Sequence, residues 1–173
     1  MAHGSPAHDT FSPGFELSLA NRQSNHAVDE PRLVDAARRV LADSKFTSAT
    51  ISLAVVDDAT IHTLNRQFLK HDWPTDVLSF VLDVRGLYLN GEVVLSADTA
   101  DTAAAEVGWS PAEEQLLYVI HGMLHLVGLD DEAEADVRNM RAAERFYLHE
   151  CGVVLPGEVA TNEHLPLGGT SPW

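Results

Sequence analysis

Apolar and polar positions alternate through Phe15, Leu17 and Leu19, with Glu16 and Ser18 between them, and predict a first strand. Asp29–Glu30–Pro31 reads as a helix start, because proline is tolerated in the first turn. Leu33, Val34, Ala37, Val40 and Leu41 follow at helical spacing. Thr50–Val56 (TISLAVV) is rich in β-branched and apolar residues, as a buried strand should be. Asp57–Asp58 ends it and opens a second helix through Ile61, Leu64, Asn65 and Phe68. Val77–Leu82 and Gly91–Leu95 read as two further strands. The loop Arg85–Asn90 allows a hairpin but leaves their relative direction open. Ala97–Glu106 is alanine-rich and predicts a helix. Ser110–Pro111–Ala112–Glu113 is a Ser-x-x-Glu capping box with proline at the first helical position. Its helix should run to about Leu126, where Gly128 can end it in the left-handed conformation. Asp131–Glu132–Ala133–Glu134 repeats the box pattern and predicts a last helix to about Glu150.

This order predicts an α+β fold, a small mixed sheet of about four strands packed with about five helices. A single domain over residues 15–154 holds all of it, between a Gly-, Pro- and His-containing leader (1–14) and an irregular tail (155–173). Hydrophobic residues make up 45% and charged residues 21%, which excludes a wholly disordered chain. The net charge of −15 argues against bulk attraction to nucleic acid or anionic lipid. Any RNA contact must then be local or helped by a bound cation. The one cysteine, Cys151, excludes an intrachain disulfide, and no disulfide-linked partner is expected. The uncharged stretch Gln115–Leu129 is too short, and carries two histidines too many, for a membrane span. The start of the chain lacks the basic and apolar regions of a secretory signal. A cytoplasmic protein without membrane association is the expectation.

The informative segment is His121-Gly-Met-Leu-His125-Leu-Val-Gly128-Leu-Asp130-Asp131. Four residues turn a helix by ~400°, so both imidazoles leave one face, a turn apart. That is how a helix offers two nitrogens to one metal ion, and Gly128 lets an acid beyond it turn back toward the same ion. Three such ligands leave a position open for water, whose pKa a zinc ion lowers toward ~7. On spacing alone the histidines read equally well as satisfied core or surface residues. Asp131, on the same ground, reads better as the N-cap of the last helix. Gly122 follows His121 where His-Glu-x-x-His proteases carry their general base, so this resembles a metalloprotease zinc helix without its proton acceptor.

This segment resembles the signature of the YbeY family of bacterial endoribonucleases and ribosomal RNA maturation factors. Leu64-Asn65, the block Pro74-Thr75-Asp76-Val77-Leu78-Ser79-Phe80 and Gly91-Glu92-Val93 are similar to further family blocks in the same order. Met140 and Glu144 fall where the family's last helix carries a Met and a Glu. The resemblance covers roughly residues 50–146. It implies a compact α+β domain with one Zn(2+) per chain, held by His121, His125 and Asp131, which would act through the water on the ion. The implied activity is single-strand-specific endonuclease cleavage in ribosomal RNA 3′-end processing, with ribosomal RNA and the small ribosomal subunit as partners. Two departures stand out. The family's third ligand is usually histidine, and here it is Asp131, with Asp130 the second candidate. The site charge is then one unit lower, and a hard oxygen relaxes selectivity for zinc. An arginine that the family carries after Leu-Asn-x-x-aromatic is here Leu69, leaving Arg66 and Lys70 as candidate RNA contacts.

Two other readings compete: a non-catalytic ribosome assembly factor with a structural metal and, lower, a metalloprotease. Arg138, Arg141 and Arg145 share one helix face and read as a solvated, salt-bridged surface rather than a phosphate site. His62, His71 and His149 read as surface histidines, Cys151 as packing, and Ser79 as structural.

Overall fold

The computed structural model describes residues 14–156. The elements are strand β1 (Phe15–Asn21), helix α1 (Glu30–Ala42), β2 (Ser48–Val56), α2 (Asp58–Leu64), a π-helical turn (Asn65–Leu69), β3 (Val77–Arg85), β4 (Tyr88–Ser96), α3 (Ala97–Val107), α4 (Pro111–Val127) and α5 (Glu134–Glu150). The α+β fold, with its four-stranded mixed sheet and five α-helices, is the one the sequence predicts. Nearly all of the leader and tail lies outside the described residues.

The sheet order is β1-β2-β4-β3, with β1, β2 and β4 parallel and β3 antiparallel to β4. The hairpin left open by the sequence is therefore real, and its two strands are longer than their apolar runs. They leave only Gly86–Leu87 between them, with Gly86 at φ +60° at the first turn position, where glycine carries no steric penalty. Leu82 has no partner in the register, a bulge between Val81 and Asp83.

Ser52 is exposed and Thr50 half-buried, so the first half of β2 alternates, whereas both sheet faces are covered along Leu53–Val56, which is why that run is apolar without alternation. Leu53 and Val55 join the large core under α1, α4 and α5, while Ala54 and Val56 join a small cluster with Ile61 of α2. The Ser110 capping box is present with both reciprocal bonds, and the Asp29 and Asp57 side chains cap α1 and α2.

Two sequence expectations need correction. The second helix does not reach Phe68 as an α-helix: it changes to π geometry at Asn65 and stops at Lys70, whose φ is +63°. The second capping box does not form. The N-cap of α5 is Ala133, without a side-chain cap bond, and the Asp131 carboxylate is turned toward the two histidines of α4.

Helix α4 lies directly on the sheet because two glycines remove what would separate them. A Cβ on Gly122 would sit 2.6 Å from Val93 Cγ1 and 3.0 Å from Ser79 Oγ. A Cβ on Gly91 would sit 2.9 Å from Leu126 Cδ1. Ser79 Oγ donates to the Gly122 carbonyl at 3.1 Å, the structural role expected of it. Gly122 thus turns one face of α4 to the sheet, and its neighbour His121 meets Glu144 of α5.

Candidate metal centre

Gly128 closes α4 at φ +111°, with Leu129 N–H donating to Leu124 O at 2.9 Å and Gly128 N–H to His125 O at 3.0 Å. This Schellman closure reverses the chain within two residues. It brings the Leu129 carbonyl to His125 Nδ1 at 3.0 Å. Asp131 follows, its N–H held by Asp130 Oδ1 at 2.8 Å, and its Oδ2 lies 3.8 Å from Nε2 of both His121 and His125. From the other side, Glu144 of α5 reaches His121 Nδ1 at 2.6 Å.

These partners fix the tautomers. A carbonyl oxygen only accepts, so His125 Nδ1–H is the donor, and the Glu144 carboxylate likewise accepts from His121 Nδ1–H. In the neutral rings both Nε2 lone pairs then face inward, 3.0 Å apart. Two lone pairs at that distance cannot hydrogen-bond to one another and repel unless a proton or a cation lies between them. With Asp131 Oδ2 they form a group whose ligand atoms all lie within 4.8 Å of one another, a group that can hold a metal ion. Donors about 2.0–2.2 Å from a tetrahedral ion lie roughly 3.3–3.6 Å apart, between the separations seen here. The donor set fits a divalent cation.

The electrostatics agree. Burial pulls the His121 imidazole toward its neutral form, but the hydrogen bond and charge of Glu144, with the charges of Asp131 and Asp76, hold its pKa above the ordinary value. The pocket attracts positive charge in a chain that carries net −15.

Of the predicted site residues, His121, His125 and Asp131 converge, and Asp130 supports the turn that aims Asp131. Arg66 and Lys70 do not join them: both are exposed, at the π-turn and its end, and Lys70 Nζ reaches only Gln67 O at 3.4 Å. Arg138 pairs with Glu134 at 2.7 Å on the exposed face of α5, as expected of a salt-bridged surface. His62 pairs with Asp72 at 2.9 Å, and Cys151 is half-buried with its thiol pKa pushed up by burial. Sequence reasoning placed Glu144 without a role. The available signal was its position four residues after the buried Met140, which puts an acid on the inward face of α5.

Residues 18–152 match the family described as Endoribonuclease YbeY. A protein of Rhodopirellula baltica named Endoribonuclease YbeY is 41% identical over 133 residues, covering 71% of this chain and 69% of its own length. Another of that name from Moorella thermoacetica is 36% identical over 155 residues, covering 80% of this chain and 99% of its own. The solution structure of a Thermotoga maritima protein is similar with a TM-score of 0.54 at 24% identity, over 84% of this chain and 99% of that one, a likeness of fold. With the family pattern matched from β1 through α5, this chain belongs to the YbeY endoribonuclease family.

Proposed function

We propose that the protein is a divalent-metal-dependent endoribonuclease that cleaves single-stranded RNA in ribosomal RNA 3′-end processing on the small ribosomal subunit, in the cytoplasm. Zinc is the ion proposed, one per chain, held by His121, His125 and Asp131. The observation that carries this reading is the inward convergence of two Nε2 lone pairs and one carboxylate oxygen, with both Nδ1 protons committed outward. A divalent ion bound there would supply Lewis acidity toward a phosphodiester oxygen and a water of lowered pKa.

The chain's own residues perform the rest. Glu144 and the Leu129 carbonyl hold the two imidazoles in one tautomer and orientation. Asp131 lowers the positive charge of the site by one unit relative to a third imidazole. Gly122, pressed against Val93 and Ser79, leaves no room for the glutamate that serves as proton acceptor in helix-borne zinc proteases, which argues against peptide hydrolysis.

One feature favours a second reading, an assembly factor whose metal is structural: Leu69 stands exposed where the family pattern carries arginine. Against it, the group among the described residues offers three donors rather than the four of a closed structural site. Incubation of untagged protein with a single-stranded RNA, the same RNA in duplex and an unstructured peptide separates the readings. Cleavage of the single strand alone is expected. Metal-loaded protein that leaves all three intact favours the assembly factor, and peptide cleavage overturns the nuclease.

A further inference from the structure

Beside the metal centre, the segment from the π-turn to β3 exposes three large apolar side chains together: Phe68 at 55%, Leu69 at 48% and Trp73 at 56% relative exposure. Isolated exposed apolar residues need no explanation, but three within six residues of one segment, two of them aromatic, do. The segment is held in place. Asn65 is buried, and its Nδ2 donates to the Trp73 carbonyl at 2.8 Å, tying the tryptophan backbone to the π-turn. The His71 ring stacks on the Trp73 indole, with centroids 4.7 Å apart and planes 10° from parallel. Phe68 rests edge-on against Phe80 of β3 at 5.5 Å.

The segment also lies close to the histidines. Val77, four residues after Trp73, would touch a Cβ on Gly122 at 3.2 Å, and Gly122 adjoins His121. Four residues span at most roughly 13–14 Å. Two cations lie along the same stretch, Arg66 and Lys70. The described ion pairs engage Arg39, Arg85 and Arg138 but neither of these. Of the segment's acids, Asp72 bonds to His62, and Asp76 Oδ1 accepts from Val77 N–H and Thr75 Oγ.

We propose that Trp73, backed by His71 and fixed by Asn65, is a stacking platform for an unpaired RNA base within a few nucleotides of the cleaved bond, with Arg66 and Lys70 facing the flanking phosphates. This rests on the endoribonuclease reading and names how that site takes hold of its substrate. An aromatic face binds any base, needs the base unpaired, and adds affinity without the strong positive field that this acidic chain lacks. It also accounts for single-strand selectivity, since a paired base is not free to stack.

The test is binding of a labelled, unstructured oligoribonucleotide to the full chain, read by anisotropy. Wild type is compared with Trp73→Ala, Trp73→Leu, Trp73→Phe and Val84→Ala, an exposed β3 residue outside the segment. Trp73→Ala and Trp73→Leu are expected to weaken binding about tenfold. Trp73→Phe should stay within about threefold of wild type, because it keeps a π-face. Val84→Ala should bind as wild type does. With Trp109 and Trp173 replaced by Phe, RNA should quench the remaining Trp73 emission. Melting curves establish that each variant is folded, and Trp73→Phe keeps the proposal testable if Trp73→Ala is not. Equal binding by all variants while wild type still cleaves RNA overturns the platform and leaves the nuclease reading intact. Trp73→Leu binding like wild type overturns stacking in favour of apolar contact. Unchanged RNA binding with loss of a protein partner reassigns the patch to protein. A wild type that neither binds nor cleaves RNA overturns both readings.

Discussion

The Nδ1 proton of His121 is committed to Glu144 across the α4–α5 interface at 2.6 Å, which leaves the Nε2 lone pair as the ring's ligand atom, 3.0 Å from His125 Nε2 and 3.8 Å from Asp131 Oδ2. Glu144→Ala removes the orienting bond and a negative charge together. It should weaken divalent-metal affinity by about 10–100-fold, measured by competition with a chromophoric chelator. Glu144→Gln keeps an acceptor oxygen without the charge and should lose less. Unchanged affinity in Glu144→Ala would remove it from the metal centre.

His121→Ala, His125→Ala and Asp131→Ala should each lose the ion, while Asp130→Ala mostly keeps it. Asp130 contributes one bond to the Asp131 N–H and no atom to the converging group. Elemental analysis of untagged variants checks this. Metal lost in Asp130→Ala and kept in Asp131→Ala would shift the third ligand by one residue.

Gly122→Ala should destabilise the fold although alanine is the better helix former. The added Cβ meets Val93 Cγ1 at 2.6 Å and Ser79 Oγ at 3.0 Å. Overpacking of this kind costs about 1–3 kcal/mol, against about 1 kcal/mol gained in helix propensity. A lower denaturation midpoint is the expected result. A midpoint at or above wild type would mean the helix–sheet contact can relax.

Most of the fold is legible because local rules carry it. The Ser110 capping box, the Asp29 cap and the Gly128 closure are each fixed by residues a few positions apart, and all three form as predicted. The reading fails where the decision is non-local. A π-turn over Asn65–Leu69 and one more turn of α-helix share the same few apolar positions, so periodicity cannot separate them. Asp131 looks like a cap because Ser/Asp-x-x-Glu is the cap pattern, yet its carboxylate is turned to two imidazoles of another helix. Gly122 is unremarkable in the sequence, and only the sheet beneath α4 explains it. The three candidate ligands were visible from spacing and family pattern, whereas Glu144 needed the packing of α5.

Glu114 is buried beside the Trp109 indole, and burial, opposed in part by its bonds to Trp109 and Tyr118, raises its carboxyl pKa. A carboxyl with a raised folded pKa binds its proton more tightly in the native state than in the unfolded chain. Its contribution to stability is therefore fully present below the unfolded pKa and lost as pH rises through the folded one. Glu114→Gln removes that loss. The melting temperature of Glu114→Gln relative to wild type should become more favourable as pH rises from about 4 toward 7. A difference that does not vary with pH would contradict the assignment.

The central claim is that His121, His125 and Asp131 hold one divalent ion that RNA cleavage requires. The most direct measurement pairs elemental analysis of untagged protein with cleavage of a single-stranded RNA before chelation, after chelation and after the ion is restored. The expected result is about one equivalent of metal per chain, cleavage lost with the ion and regained with it, and neither metal nor cleavage in Asp131→Ala. Cleavage that survives complete removal of metal, or that persists in Asp131→Ala without bound ion, would contradict the account.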